Sequence, residues 1–137
     1  MTIRKSIEAD LPYMIAFDHV AATDSVRVAE IRRAIETRNC WVFDEDSVPV
    51  AYAILQDNFF NRPFIWMVYV SENKRRNGIA GCIFAYLEKV CGQDKIFTST
   101  NRSNYVMQEF LKTRGYQSCG EVYGLDEGDP EVFFMKS

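Results

Sequence analysis

The chain has 137 residues, 47% of them hydrophobic, and a formal net charge of −3 at pH 7. This length and apolar content predict a single domain over residues 1–137. The small negative charge argues against a nucleic-acid or membrane partner, and no apolar run approaches the roughly 20 residues of a membrane helix. The N-terminus lacks the apolar segment of a signal peptide, so a cytoplasmic location is predicted.

The cysteine and histidine content bears on metal binding. The four cysteines form no Cys-x-x-Cys pair, and His19 is the only histidine. Because zinc prefers clustered Cys and His ligands, we predict no metal site and expect free thiols. His19 has two open interpretations, a catalytic base or a solvent-facing or capping residue.

Hydrophobic periodicity divides the chain into strands and helices. Their order, β-α-α-β-β-β-α-β-α-β-β, is typical of a single mixed α/β domain. Asp10 is the predicted N-cap of the first helix, and Asp24 or Ser25 could cap the second. Residues 57–62 are predicted to connect the third and fourth strands. In chain order the predicted elements cover residues 2–5, 11–17, 25–36, 40–44, 48–56, 63–70, 79–90, 95–100, 105–113, 117–123 and 131–135.

The most informative stretch covers residues 68–81, from the end of the fourth strand into the next helix. An apolar strand is followed by the basic run 74–76, and small residues recur between Gly78 and Gly81. The first turn of a helix has N–H groups without intrahelical acceptors, and its dipole favours an anion. From these residues alone, an anion site and an ordinary basic loop are both open interpretations.

The segment Arg75-Arg76-Asn77-Gly78-Ile79-Ala80 resembles the Arg/Gln-x-x-Gly-x-Gly/Ala signature of the GNAT superfamily of acyl-CoA N-acyltransferases. Val68-x-Val70 precedes it, as in the fourth strand of that family. Asn104, followed by the segment 110–116, resembles the family's later Asn…(Phe/Leu)-Tyr-x-x-x-Gly-Phe pattern. The resemblance implies a GNAT-like α/β (α+β) fold, with a mostly antiparallel sheet in which strands 4 and 5 run parallel and splay apart.

The resemblance also implies that acetyl-CoA is the co-substrate. Main-chain groups of Val68 and Val70 would hold the pantetheine arm along a strand edge. Arg75 and Arg76 would add positive charge near the phosphates. Asn104 would bind the pantetheine, although from the sequence alone it equally predicts a helix cap. The main-chain N–H groups assigned to the phosphates are those of Arg76, Asn77, Gly78, Ile79, Ala80 and Gly81.

The implied reaction is direct attack of a neutral amine on the thioester. The main-chain N–H of Val68 is the predicted oxyanion donor, because a fixed donor stabilises the growing negative charge. The chain departs from the family at Leu111, where a tyrosine often protonates the departing thiolate. Two alternatives stay open: water protonates the CoA thiolate, or a tyrosine such as Tyr69 or Tyr52 does so. Tyr69 is equally well interpreted as a packed aromatic.

Other acidic residues have less specific interpretations. Asp18, Asp24 and Glu30 could attract a cationic amine, but a solvated helix surface is the default interpretation. Residues 126–130 either close over an amine or form a surface turn.

Three classes of function remain at this point. The first is an N-acetyltransferase that acts on a primary amine of a small molecule or a protein. The second is a CoA-binding or acyl-CoA-binding sensor or partner subunit without catalysis, which Leu111 favours. The third, a nucleic-acid or phosphoprotein binder using residues 74–76, is disfavoured by the overall charge. The sequence does not identify the acyl acceptor or acyl-chain length, and a homodimer is one open alternative for the oligomeric state.

Overall fold

The computed structural model describes residues 2–137, which form a mixed seven-stranded sheet and flanking helices. The strands are β1 (Thr2–Lys5), β2 (Cys40–Glu45), β3 (Val48–Phe59), β4 (Arg62–Val70), β5 (Ile96–Asn101), β6 (Gln117–Val122) and β7 (Glu131–Lys136). The α-helices are α1 (Leu11–Phe17), α2 (Ser25–Glu36), α3 (Ile79–Cys91) and α4 (Tyr105–Thr113). Short 3-10 helices, which the sequence did not predict, cover Glu8–Asp10 and Glu72–Lys74.

The strand order in the sheet is β1-β2-β3-β4-β5-β7-β6. The pairs β1–β2, β2–β3, β5–β7 and β6–β7 are antiparallel, whereas β4 and β5 are parallel. The β4–β5 register contains the pairs Phe64–Phe97 and Ile65–Thr98, and β4 continues beyond them to Val70. The predicted fold class and element order are therefore confirmed.

Contacts group the chain into two compact units. The first contains the residues up to Gln56 together with Met67–Cys91, and the second contains Asp57–Trp66 and Gly92–Ser137. Strands β3 and β4 each contribute residues to both units. Within residues 2–137, none of the helices combines the length and the apolar character that a membrane crossing requires.

The core of the first unit contains buried residues of α1, α2 and α3 and of the strands β2 and β3. Helix α3 buries Ile79, Ile83, Phe84 and Leu87, whose spacing places them on one helical face. Each such side chain contributes roughly 1.5–3 kcal/mol when fully buried. Helix α2 begins after Asp24, whose carboxylate accepts hydrogen bonds from the first-turn N–H groups, as the sequence predicted for a cap.

Asp10 occupies the predicted N-cap position of α1, but its side chain accepts no hydrogen bond from that helix. Its carboxylate accepts two hydrogen bonds of 2.9 Å from the Arg4 guanidinium and one of 2.8 Å from the Ile7 N–H. Arg4 also donates from Nε to Asp44 at 2.8 Å, and both carboxylates are buried. Burial opposes the charge on Asp10, but Arg4 outweighs it and lowers the pKa of the Asp10 carboxyl; Arg4 likewise lowers the pKa of Asp44. The Asp10 carboxylate therefore binds the Arg4 guanidinium and the Ile7 N–H instead of the first turn of α1.

The second unit contains an aromatic cluster that explains an error in the predicted strands. The connection predicted over residues 57–62 is wrong, because β3 extends to Phe59 and only the turn Phe60–Asn61 separates it from β4. Phe59 packs 4.8 Å from Phe64 and 5.3 Å from Phe97 between ring centroids, which keeps the strand ordered. Both turn residues have positive φ, as the tight turns of twisted hairpins require.

Candidate functional site

The loop between β4 and α3 has two residues with left-handed backbone. Arg76 has φ of 67° and Gly78 has φ of 75°. Glycine adopts this conformation readily, whereas an L-residue such as arginine loses about 1–2 kcal/mol. Strain of this kind is often found at functional sites. The sequence singled out Gly78, but nothing in it predicts a positive φ at Arg76.

The predicted main-chain donors are placed at the N-terminus of α3. The first hydrogen bond of this helix runs from the Cys82 N–H to the Gly78 carbonyl, at 3.1 Å. Within residues 2–137, no protein acceptor is hydrogen-bonded to the main-chain N–H groups of residues 76–81. Residues 75–78 are also exposed. A row of donors and the positive end of the helix dipole are therefore accessible to an anion.

The basic run of residues 74–76, which precedes this helix, is partly engaged in contacts within the protein. Lys74 Nζ forms an ion pair with Glu45 at 2.8 Å. Arg75 donates from Nε to the Val70 carbonyl at 3.0 Å, and its guanidinium lies 5.3 Å from the centre of the Tyr69 ring. In the part of the chain that the structure describes, the Arg76 guanidinium has no acidic partner or acceptor. Lys74 is thus paired with a carboxylate, whereas within residues 2–137 neither Arg75 nor Arg76 has an acidic partner, and both are exposed.

Tyr69 is both a packed aromatic and an accessible hydroxyl. Its ring lies 6.2 Å from that of Tyr52, with 12° between the ring planes, and 6.3 Å from that of Phe17. Its hydroxyl oxygen accepts the His19 main-chain N–H at 3.1 Å. Among the described residues no acceptor takes the proton of Tyr69 itself. The two interpretations of Tyr69 are therefore compatible.

Tyr52, the other tyrosine considered, is fully buried. Its hydroxyl donates to Asp18 Oδ2 at 2.5 Å. Burial and the Asp18 carboxylate raise the pKa of Tyr52. Its proton is therefore committed within the protein, which leaves Tyr69 as the accessible hydroxyl of the two.

Asp18 was expected on a solvated helix surface, and this interpretation is wrong. Its exposure is 0%, and Oδ2 accepts from Tyr52 and, at 3.1 Å, from Arg27 Nε. Its Oδ1 accepts the N–H groups of Val20 at 2.9 Å and Ala21 at 3.1 Å. Burial opposes the charged form, but these donors together lower the pKa of the Asp18 carboxyl. Only tertiary contacts identify this residue, since no local motif marks it.

His19 and the two predicted valines complete this part of the site. The His19 side chain is exposed, with Nε2 3.5 Å from Glu72 Oε2. Val68 and Val70 lie half-buried in the last part of β4, on either side of Tyr69. The Val70 carbonyl is the acceptor of the Arg75 Nε–H. One of the main-chain groups predicted for the cofactor therefore already has a protein partner.

Two further predicted residues lie in the second unit. Asn104 is the N-cap of α4, and its side chain accepts the Met107 N–H at 3.1 Å, so the capping interpretation is confirmed. Leu111 is fully buried and has no proton to donate. Asp129 in the loop 126–130 accepts from the Ser103 N–H at 3.0 Å, which holds this loop as a turn. Among residues 2–137 no group of three or more His, Cys, Asp or Glu could hold a metal ion.

A family model and a solved structure both relate the chain to GNAT-family acetyltransferases. The family model described as the acetyltransferase (GNAT) family matches residues 8–116. A GNAT-family acetyltransferase from Bacillus cereus ATCC 10987 is 32% identical, with a TM-score of 0.89 over 98% of this chain and 95% of that chain. No curated protein sequence matches the chain.

Two more distant structures share the fold. A ribosomal-protein-alanine N-acetyltransferase from Brucella melitensis is 20% identical, with a TM-score of 0.78 over 99% of both chains. A protein from Bacillus anthracis str. Ames, provisionally described as a streptothricin acetyltransferase, was solved in complex with acetyl coenzyme A. It is 15% identical, with a TM-score of 0.64 over 71% of this chain and 60% of that chain.

Proposed function

The chain belongs to the acetyltransferase (GNAT) family, and from this premise we propose that it transfers an acetyl group from acetyl-CoA to a primary amine of a small molecule or a protein. The observation that best supports this is the row of unbonded main-chain N–H groups at residues 76–81. A pyrophosphate is bound by several such donors at a helix N-terminus. The acetyl coenzyme A complex of the Bacillus anthracis protein is consistent with this co-substrate.

In this proposal residues 1–137 act as one N-acetyltransferase domain. Main-chain groups of Val68 and Val70 hold the pantetheine arm, and the Val68 N–H stabilises the oxyanion by about 3 kcal/mol. The Arg76 guanidinium adds positive charge near the phosphates, supported by its lack of a described acidic partner. The contact of Asn104 with the pantetheine stays a prediction, because its side-chain oxygen already caps α4.

The proposed reaction requires one proton to leave the amine and one to reach the thiolate. The neutral amine nitrogen attacks the thioester carbon, the C–S bond breaks, and the sulfur takes a proton. After the attack, the nitrogen of the tetrahedral intermediate is an ammonium group, and water accepts its proton. Of the side chains considered for the second transfer, Leu111 has no proton and the Tyr52 proton is held by Asp18. We therefore assign the second transfer to the Tyr69 hydroxyl, and water then returns a proton to the Tyr69 oxygen.

Tyr69→Phe is expected to lower kcat about 10-fold and to leave KM for acetyl-CoA nearly unchanged. This fall in kcat is smaller than the fall that follows the loss of many general acids, because a thiolate departs readily without full protonation. Phenylalanine preserves the stacking on Tyr52, so the fold is retained. Steady-state CoA release measures both constants, and Tyr86→Phe, on α3 against Trp41, is the matched control. An unchanged kcat in Tyr69→Phe would assign the proton to water.

The proposed function is tested by acetyl-CoA binding and by CoA release with a panel of amines. The panel includes small amines and peptides with an N-terminal alanine, because the Brucella relative is named for that acceptor. Acetyl-CoA is expected to raise the melting temperature, and at least one amine is expected to release CoA. Binding without turnover across the panel would favour the non-catalytic sensor instead.

The cysteines give an independent test of the site. Cys82 is exposed in the first turn of α3, and Cys119 is exposed in β6. Burial raises the pKa of Cys40 to about 11. At neutral pH a maleimide is expected to label Cys82 and Cys119 but not Cys40, and saturating acetyl-CoA should slow labelling of Cys82 alone. Mass spectrometry of the labelled peptides measures this, and equal protection of Cys82 and Cys119 would contradict the site.

A further inference from the structure

We propose that Asp18 is a positioning residue for the acyl transfer, which acts through Tyr52, Arg27 and the His19 amide to fix both the ring and the hydroxyl of Tyr69. The inference rests on the proposed function, since Tyr69 is assigned there as the proton donor. Asp18 itself is fully buried and contacts no substrate.

The two carboxylate oxygens of Asp18 hold different parts of the first unit. Oδ2 accepts the Tyr52 hydroxyl at 2.5 Å and the Arg27 Nε–H at 3.1 Å. Oδ1 accepts the N–H groups of Val20 and Ala21, in the turn that follows α1. A buried carboxylate is costly unless its lone pairs are occupied, and here each oxygen has two donors. The carboxylate therefore fixes a ring, a guanidinium and a turn relative to one another.

Both groups held by Oδ2 contact the ring of Tyr69. The Tyr52 ring stacks on it with centroids 6.2 Å apart and 12° between planes. The Arg27 guanidinium lies 5.9 Å from its centre. Stacked aromatic pairs and cation–π contacts have preferred geometries, so moving either partner moves the Tyr69 ring.

The turn held by Oδ1 reaches the hydroxyl of Tyr69. His19 lies between Asp18 and Val20, and its N–H donates to the Tyr69 hydroxyl at 3.1 Å. Because that bond occupies a lone pair of the oxygen, the direction of the O–H proton is restricted. Asp18 thus sets the position of the ring through one oxygen and the orientation of the hydroxyl through the other.

This network is separate from the main-chain donors proposed for the phosphates. None of the hydrogen bonds of Asp18 involves residues 76–81. Loss of the Asp18 charge is therefore expected to affect proton delivery much more than cofactor binding. A purely structural role would instead lower stability and leave kcat of the folded enzyme unchanged.

The test compares Asp18→Asn with the matched control Asp44→Asn. The amide introduced by Asp18→Asn keeps an oxygen for the turn but loses acceptors for Tyr52 and Arg27, whereas Asp44 is a buried carboxylate that binds Arg4 and Thr2. We expect Asp18→Asn to lower kcat about 10-fold with KM for acetyl-CoA within about 3-fold, since small displacements in a site have effects of this size. Asp44→Asn should lose stability and keep the wild-type kcat.

Tyr52→Phe is the second variant, and it decides the matter if Asp18→Asn does not fold. It removes the bond to Oδ2 but keeps the ring, so we expect a smaller fall in kcat and a His19 amide resonance close to its wild-type position. If the wild type is active but Asp18→Asn or Tyr52→Phe has the same kcat as Asp44→Asn, the positioning role of Asp18 is wrong. The proposed function is not affected by that result. If the wild type releases no CoA with any amine, the proposed function fails and the inference with it.

Discussion

Replacing Gly78 with glutamate is expected to weaken acetyl-CoA binding by at least about 100-fold, which corresponds to about 2.7 kcal/mol. A Cβ atom at this position meets nothing within 4 Å, so the side chain has space, and the φ of 75° adds a backbone cost. The new carboxylate stands at the unbonded N–H groups of residues 76–81 and repels a phosphate there. Two unit charges about 4 Å apart near a protein surface interact by up to about 4 kcal/mol, which is sufficient for the expected loss.

Gly92→Glu is the matched control for this variant. Gly92 follows the last residue of α3, has φ of 61°, and has open space around its Cβ position, as Gly78 does at φ of 75°. Both substitutions therefore carry the same backbone cost and the same charge. Gly92→Glu is expected to bind acetyl-CoA as the wild type does. Isothermal titration calorimetry with acetyl-CoA measures the affinity of both variants. If Gly78→Glu binds acetyl-CoA as tightly as the wild type does, residues 76–81 do not form the phosphate site.

Arg4→Met is expected to lower the free energy of unfolding by about 3–5 kcal/mol at pH 7. Arg4 holds two buried carboxylates, Asp10 and Asp44, and methionine leaves both without a cation. The control is Arg32→Met, whose partner Glu8 lies 3.8 Å away in an exposed pair. Exposed pairs contribute about 1 kcal/mol or less. Urea unfolding of the two variants measures the difference.

The pH dependence gives the second part of this prediction. In the wild type the pKa of Asp10 and Asp44 is lowered, so their stabilisation is present above the ordinary value of 3.8 and is lost as pH falls through the lowered values. Without Arg4 the buried carboxyls are more stable when protonated. The stability difference between wild type and Arg4→Met is therefore expected to narrow as pH falls from 7 toward 4. A difference that stays constant over this interval would contradict the role given to Arg4.

The order of elements could be predicted from the sequence because it depends on local periodicity and caps. The helix of residues 79–90 and the cap at Asp24 are examples, since a few neighbouring residues determine each. The parallel pairing of β4 with β5 was available only through the family resemblance. The connection over 57–62 was misplaced because Phe59 extends its strand through contacts with Phe64 and Phe97. Phe64 lies beyond the turn, and Phe97 is distant in sequence, so local periodicity does not reveal either contact.

The candidate site was predictable where it is made of main chain. Gly78 and the helix start identify the unbonded donors without knowledge of any side-chain contact. Asp18 could not be recognised, because its burial depends on Tyr52 and Arg27 rather than on its neighbours. The placement of Arg75 at the phosphates stays a prediction, and the bond of its Nε–H to the Val70 carbonyl is a contact that only the folded loop creates.

The most direct test of the proposed cofactor site is a titration of ¹⁵N-labelled protein with acetyl-CoA, followed through the main-chain amide resonances. The amides of residues 76–81 are expected to show the largest shifts, together with Val68 and Val70, while those around Gly92 stay in place. If acetyl-CoA binds and the resonances of residues 76–81 do not move, the cofactor lies elsewhere and the proposed site is wrong.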